Sequence, residues 1–194
     1  ILSNNSTFYV DAQCIASYNY ECTQWKYSEF SNLDYGVKAL AWSPTRTFRV
    51  DKANFGNNNI GGNNTGIYAS GISTAQVSRS NFYVNAVDTI VREHFGGLYL
   101  DHCNGYKIEE NHFYSNSTSP QIWKIGALVN NSNIYPFESA DNKIYNNSFQ
   151  NLDIGIIAQN RNKSSDGLHG LTIKCNDFTA SNRYDIAVTT YNSG

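Results

Sequence analysis

The 194-residue sequence is short of several things. It has no Met, three Pro and few charges, 15% of residues, with a net charge of −2. So little charge leaves no basic footprint for nucleic acid and no acidic tail. No apolar run is long enough to span a bilayer, so membrane insertion is not expected. No stretch carries the period of a long amphipathic helix. The chain opens "ILSNNSTF", without the charged and apolar regions of a signal peptide. With Met absent as well, it reads as an excised or processed piece of a longer protein. Cys14, Cys22, Cys103 and Cys175 include no CxxC pair, which argues against zinc. Cys14 and Cys22 are close enough to bridge, which would fit an oxidising compartment; four small buried thiols is the alternative.

What is present is Asn, Gly and Ser in clusters such as "GNNNIGGNN" (56–64), and 14 Tyr. The first group favours turns; Tyr, Phe, Val and Ile favour strands. That mixture predicts an all-β chain with many turns. The chain also repeats itself. "FSNLDYGVKAL" (30–40) returns as "FQNLDIGIIAQ" (149–159), with Phe, Asn, Leu, Asp and Gly in the same places. Gly36, Gly66, Gly97, Gly126 and Gly155, with Asp185 in sixth place, are spaced by 30, 31, 29, 29 and 30 residues. A short alternating run follows each, as a strand would.

A second ladder ends on Phe55, Phe82, Phe113, Phe149 and Phe178. Five residues earlier stand Val50, Val77, Ile108, Ile144 and Ile173; Phe30 with Trp25 makes an earlier copy. Asn111, Asn147 and Asn176 precede the last three Phe by two, where stacked amides could bond from coil to coil. Fixed strands and variable loops predict a solenoid of about six coils, roughly 25–30 Å long at a strand spacing of ~4.8 Å. Residues 1–29 carry a weaker pattern and read as an irregular first coil or N-terminal cap. Residues 30–194 are the coils, and more chain is expected to follow Gly194.

These ladders resemble the right-handed parallel β-helix repeat proteins of the pectate-lyase-like superfamily, over about residues 20–190. The last third, "NKIYNNSFQNLDIGIIAQ" with "GLTIKCNDF" and "YDIAV", is similar to large secreted surface proteins of Bacteroidota exported by type IX secretion. The resemblance implies a secreted or cell-surface location. It also implies a fold that hosts lyases, hydrolases, adhesins and stalks alike.

Two residues after each Gly, the outward row reads Lys38, Tyr68, Tyr99, Leu128, Ile157 and Ala187. Its apolar middle is either covered by a loop, 131–141 or 160–169, or is a docking surface. Tyr68 and Tyr99 could stack on sugar rings or on a partner, with Leu128 and Ile157 extending the surface. The densest ionisable group is Arg92, Glu93, His94, Asp101, His102, Lys107, Glu109, Glu110 and His112. A glycosidase would need two carboxyls ~5–9 Å apart. Asp101 and Glu109, with Arg79 or Lys107, are the residues for such chemistry, and a solvated polar face is the plainer alternative. Arg79 is expected to pair with Glu110 as a surface ion pair. Lyases of this fold, by resemblance, add calcium held by several acids; otherwise no cofactor is expected. The Asn-x-Ser/Thr sequons at Asn4, Asn5, Asn63, Asn116, Asn130, Asn146 and Asn162 read mostly as turn and ladder residues. Two function classes follow. One is a structural or adhesive segment contacting other domains of its own chain, a surface protein or glycans. The other is a polysaccharide lyase or glycoside hydrolase.

Overall fold

The computed structural model describes residues 8–41, 47–56, 63–84, 96–116, 123–132, 141–164, 167–180 and 183–190. All the elements in these residues are strands. The first pass of the chain gives β1 (Phe8–Val10), a hairpin of β2 (Gln13–Tyr18) and β3 (Glu21–Lys26), then β4 (Ser28–Phe30) and β5 (Tyr35–Leu40). The second gives β6 (Phe48–Asp51), β7 (Ala53–Phe55) and β8 (Thr65–Ser70), and the third β9 (Ala75–Ser78), β10 (Asn81–Tyr83) and β11 (Gly96–Asp101). Next come β12 (Lys107–Glu109), β13 (His112–Tyr114) and β14 (Ile125–Asn130), then β15 (Asn142–Tyr145), β16 (Ser148–Gln150) and β17 (Ile154–Gln159). The last pass is β18 (Leu171–Lys174), β19 (Asp177–Thr179) and β20 (Tyr184–Thr189).

Each pass places one strand in each of three six-stranded parallel sheets. Sheet 1 runs β1-β6-β9-β12-β15-β18, sheet 2 runs β4-β7-β10-β13-β16-β19, and sheet 3 runs β5-β8-β11-β14-β17-β20. The molecule is therefore an all-β parallel solenoid, as the ladders predicted. The register also matches: Val50, Val77, Ile108, Ile144 and Ile173 are partners in successive strands of sheet 1. Trp25 is the exception. Val10 pairs with Val50 and holds the place expected for Trp25, which stands in β3 of the antiparallel hairpin. The hairpin is inserted between β1 and β4, so counting back from Phe30 lands on the wrong strand.

Two interlocks explain the repeat. The rings of Phe30, Phe55, Phe82, Phe113, Phe149 and Phe178 stack face to face at 5.1, 4.6, 4.6, 4.9 and 5.1 Å. The four middle rings are at most 1% exposed; each contributes about 1.5–3 kcal/mol by burial alone. The glycines are the other half. A Cβ on Gly126 would lie 2.6 Å from the Gly155 carbonyl oxygen and 2.6 Å from Cδ1 of Phe149. The glycine row exists so that the next Phe can lean on bare backbone. Asp185 takes its side chain at the sixth place because β20 has no further strand beyond it among the described residues.

The corner between sheets 1 and 2 repeats too. Lys52, Arg79, Glu110, Asn146 and Cys175 all have left-handed φ, between 50° and 59°. The next residue turns inward. Asn111 Nδ2 donates to Asn147 Oδ1 at 3.0 Å, and Asn147 Nδ2 to Asn176 Oδ1 at 3.0 Å. Their oxygens also accept backbone N–H bonds, from Asn111 and Asn147 at 2.9 Å each. Ser80 continues the row on the N-terminal side, donating its backbone N–H to Asn111 Oδ1 at 3.0 Å. Asn111 and Asn147 are 2% exposed, so the ladder satisfies amides that would otherwise be costly to bury.

Candidate functional site

The outward row of sheet 3 aligns Lys38, Tyr68, Tyr99, Leu128, Ile157 and Ala187 as partners, strand by strand. Its aromatic end is half-buried and continuous. Tyr35 meets Tyr68 edge-on at 5.9 Å, and Tyr68 meets Tyr99 at 5.3 Å. The Lys38 ammonium lies over both Tyr35 and Tyr68, 4.6 and 5.6 Å from the ring centres, which fixes the first two rings by cation–π attraction. Burial, with the nearby Asp101 charge, pushes the Tyr68 phenol up, so it stays a donor near neutral pH. The aliphatic end differs. Ile157 is only 7% exposed and packs with Ile125 and Ile154, with Leu128 and Ala187 against them. The two ends of the row thus have separate roles: an accessible aromatic strip and a small apolar cluster. Most of the loop 131–141 expected to cover the row lies outside the described residues, as do 165–166 of the other.

Beside the tyrosines runs a polar row, Ser70, Asp101, Asn130 and Gln159. Asp101 is its centre. It accepts from Asn130 Nδ2 at 2.9 Å and Ser70 Oγ at 3.3 Å, and pairs with His102 Nδ1 at 2.8 Å. Asn130 Nδ2 also reaches the Tyr99 hydroxyl at 3.4 Å, and Asn160 Nδ2 reaches Asn130 Oδ1 at 2.8 Å. Ser70 and His102 both bind Asp101 and not each other, so these three do not form a nucleophile relay. They form a hydrogen-bonding margin along the aromatic strip.

The other carboxylate candidate is elsewhere. Glu109 and Lys107 belong to β12 in sheet 1, whereas Asp101 ends β11 in sheet 3. Arg92, Glu93 and His94 lie outside the described residues. Arg79 does not form its ion pair with Glu110. It bonds Asp51, through Nε at 2.8 Å and Nη2 at 2.5 Å. Ser78 Oγ, at 2.8 Å, and the Lys52 ammonium, at 3.3 Å, complete the set. Asp51 is 2% exposed under this cover. The guanidinium fork matches a carboxylate in a way a single exposed Glu cannot outcompete. Burial alone would raise the Asp51 carboxyl; the bonds from Arg79, Ser78 and Lys52 more than reverse that and hold it below the ordinary range. A calcium site needs several acids around one point, and among the described residues no three His, Cys, Asp or Glu side chains converge.

A second surface leaves little trace in the sequence. The outward row of sheet 2 is Glu29, Asn54, Asn81, His112, Ser148 and Asp177. Asn81 Nδ2 donates to Asn54 Oδ1 at 2.9 Å, and Ser148 Oγ lies 2.5 Å from His112 Nδ1. Burial lowers the His112 pKa, which keeps the ring neutral and able to accept from the serine. At the N-terminal end of this row the hairpin borders a groove of about 730 Å³ with Trp25 and Tyr27 in its walls. Cys14 and Cys22 are disulfide-bonded across the hairpin, while Cys103 is a buried free thiol and Cys175 an exposed one. The sequence signals for this surface were the misplaced Trp25 and His112, which was grouped with charges on other sheets. Compared with family models, curated proteins and solved structures, the chain matches none at a significant level.

Proposed function

We propose that the chain is a structural or adhesive segment of a secreted cell-surface protein, and that it contacts glycans through the Tyr68–Tyr99 face. The observation that carries this is the aromatic strip with its polar margin. Half-buried rings at one-coil spacing, tilted 55° to one another and with Lys38 over Tyr68, offer apolar surface, and Ser70, Asp101 and Asn130 offer hydrogen bonds alongside; that combination suits a sugar ring, apolar on its faces and polar on its rim. The disulfide supports an oxidising, extracytoplasmic location. The ladders support a right-handed β-helix of the pectate-lyase-like kind, and the resemblance of the last third supports a Bacteroidota surface protein. Further domains of the same chain or a surface protein are its other expected partners.

A lyase or hydrolase is the second reading, favoured by Asp101 standing beside the tyrosines. It requires a second group near Asp101, and Glu109, Lys107 and Arg79 are the residues that would have to supply it. Product release from acidic and neutral polysaccharides, with calcium and with chelator, separates the two. The adhesive reading predicts retention on a polysaccharide without turnover. Unsaturated products that need calcium would replace it with a lyase, and new reducing ends alone with a hydrolase.

A further inference from the structure

We propose that the groove beside the hairpin, together with the outward row of sheet 2, is a second binding site, for an extended neutral oligosaccharide. It is independent of the Tyr68–Tyr99 face, which lies on sheet 3. Residues lining the groove include Ile15, Trp25 and Lys26 from the hairpin, with Asp11, Glu29 and Asn54. Lys52 does not line it, yet its ammonium sits 3.9 Å from the Trp25 ring centre. The ring is thus braced from outside the groove, and Trp25 is still 38% exposed. The disulfide ties the two strands of the wall together. A braced, partly exposed indole in one groove with Asp11, Glu29 and Asn54 is a preorganised stacking platform.

The polar lining does not end with the groove. Glu29 and Asn54 begin the row that continues through Asn81, His112, Ser148 and Asp177. Five strand spacings make a track of about 24 Å. Two tyrosines flank it: Tyr83 and Tyr114 are 5.5 Å apart, and Tyr114 stacks on His112 at 4.8 Å. One rung is close to the length of one hexose unit, so an extended chain can present its hydroxyls to successive side chains. The occupant's chemistry follows from three features. The track is rich in amides and hydroxyls, which serve as both donors and acceptors. Its ionised groups, Asp11, Glu29 and Asp177 against Lys26, carry excess negative charge, which disfavours uronate or sulfated chains. Its interior strands are paired on both sides, so among the described residues a peptide strand could add only beyond β4 or β19, at the two ends of the track, and not along it.

The test uses the whole chain, with its disulfide intact, and calorimetric titration with cellohexaose, xylohexaose, mannohexaose and hexagalacturonate. At least one neutral hexasaccharide is expected to bind saturably, with hexagalacturonate at least about tenfold weaker. Trp25→Ala should weaken that binding about tenfold, the worth of one good ring contact. Asn81→Ala, which lies outside the hairpin and keeps the test open should Trp25→Ala misfold, should weaken it about threefold. Thr172→Ala, on sheet 1, should leave it unchanged. The proposal is overturned if no neutral hexasaccharide binds with a Kd below about 1 mM. It is equally overturned if binding survives both Trp25→Ala and Asn81→Ala, or is lost only in Tyr99→Ala.

Discussion

Among the described residues, Asp51 is the one on which the most charge converges. Arg79 and Lys52 hold it, and Arg49 Nη2 lies 3.8 Å away. Its folded pKa is lowered from 3.8. A lowered carboxyl stabilises the fold above its unfolded pKa, and that contribution disappears as pH falls through the folded value. Asp51→Asn should therefore cost about 2 kcal/mol at neutral pH, a figure discounted because Arg79 is half exposed. The variant should also lose less further stability than the parent when acidified below about pH 4. Urea melts at pH 7 and pH 3 check both. Cys103 and Cys175 make the opposite contrast. Burial pushes the Cys103 thiol up to about 12, while Cys175 is exposed. At pH 8 a thiol reagent should modify one cysteine in the folded protein and a second only after unfolding. Rapid modification of both in the folded state would contradict the assigned burial.

Among the elements, the Phe–Gly interlock is the unit that repeats, and it was legible in the sequence because both partners are invariant in kind. Gly126→Ala should destabilise by about 3 kcal/mol or more, because the new Cβ meets a backbone oxygen that cannot move aside. Asp185→Ala should stay within about 0.5 kcal/mol, the range of an ordinary surface change. Thermal melts of the two variants decide it, and equal losses would mean the row is not a packing device. The Asn ladder was legible for the same reason, as one residue type at one offset. Arg79's partner was not. Asp51 and Glu110 are both near it by strand register, and only the bidentate geometry chooses between them. The hairpin was hidden for another reason. An antiparallel insertion follows no coil period, so Trp25 mimicked a ladder residue while standing on β3.

For the whole molecule, the coils fix distances and leave faces free to differ. Sheet 3 presents tyrosines that grade into a packed aliphatic cluster, sheet 2 an amide and hydroxyl track, and sheet 1 the charges around Asp51. The first of these was visible in the sequence as an apolar row where water was expected. The second was not, because Asn, Ser and His at outward positions look like any solvated strand. On the proposed reading such a scaffold would recognise ligands by side-chain rows at coil spacing, and removing one row should leave the stack itself intact. The most direct measurement is affinity electrophoresis of the parent and a Tyr68→Ala/Tyr99→Ala variant through gels containing polysaccharides, with product analysis of the same samples. Circular dichroism confirms that both remain folded. Retardation of the parent is expected, with at least about tenfold weaker retardation of the variant and no product from either. Equal retardation of the two proteins, or release of oligosaccharide by the parent, would contradict it.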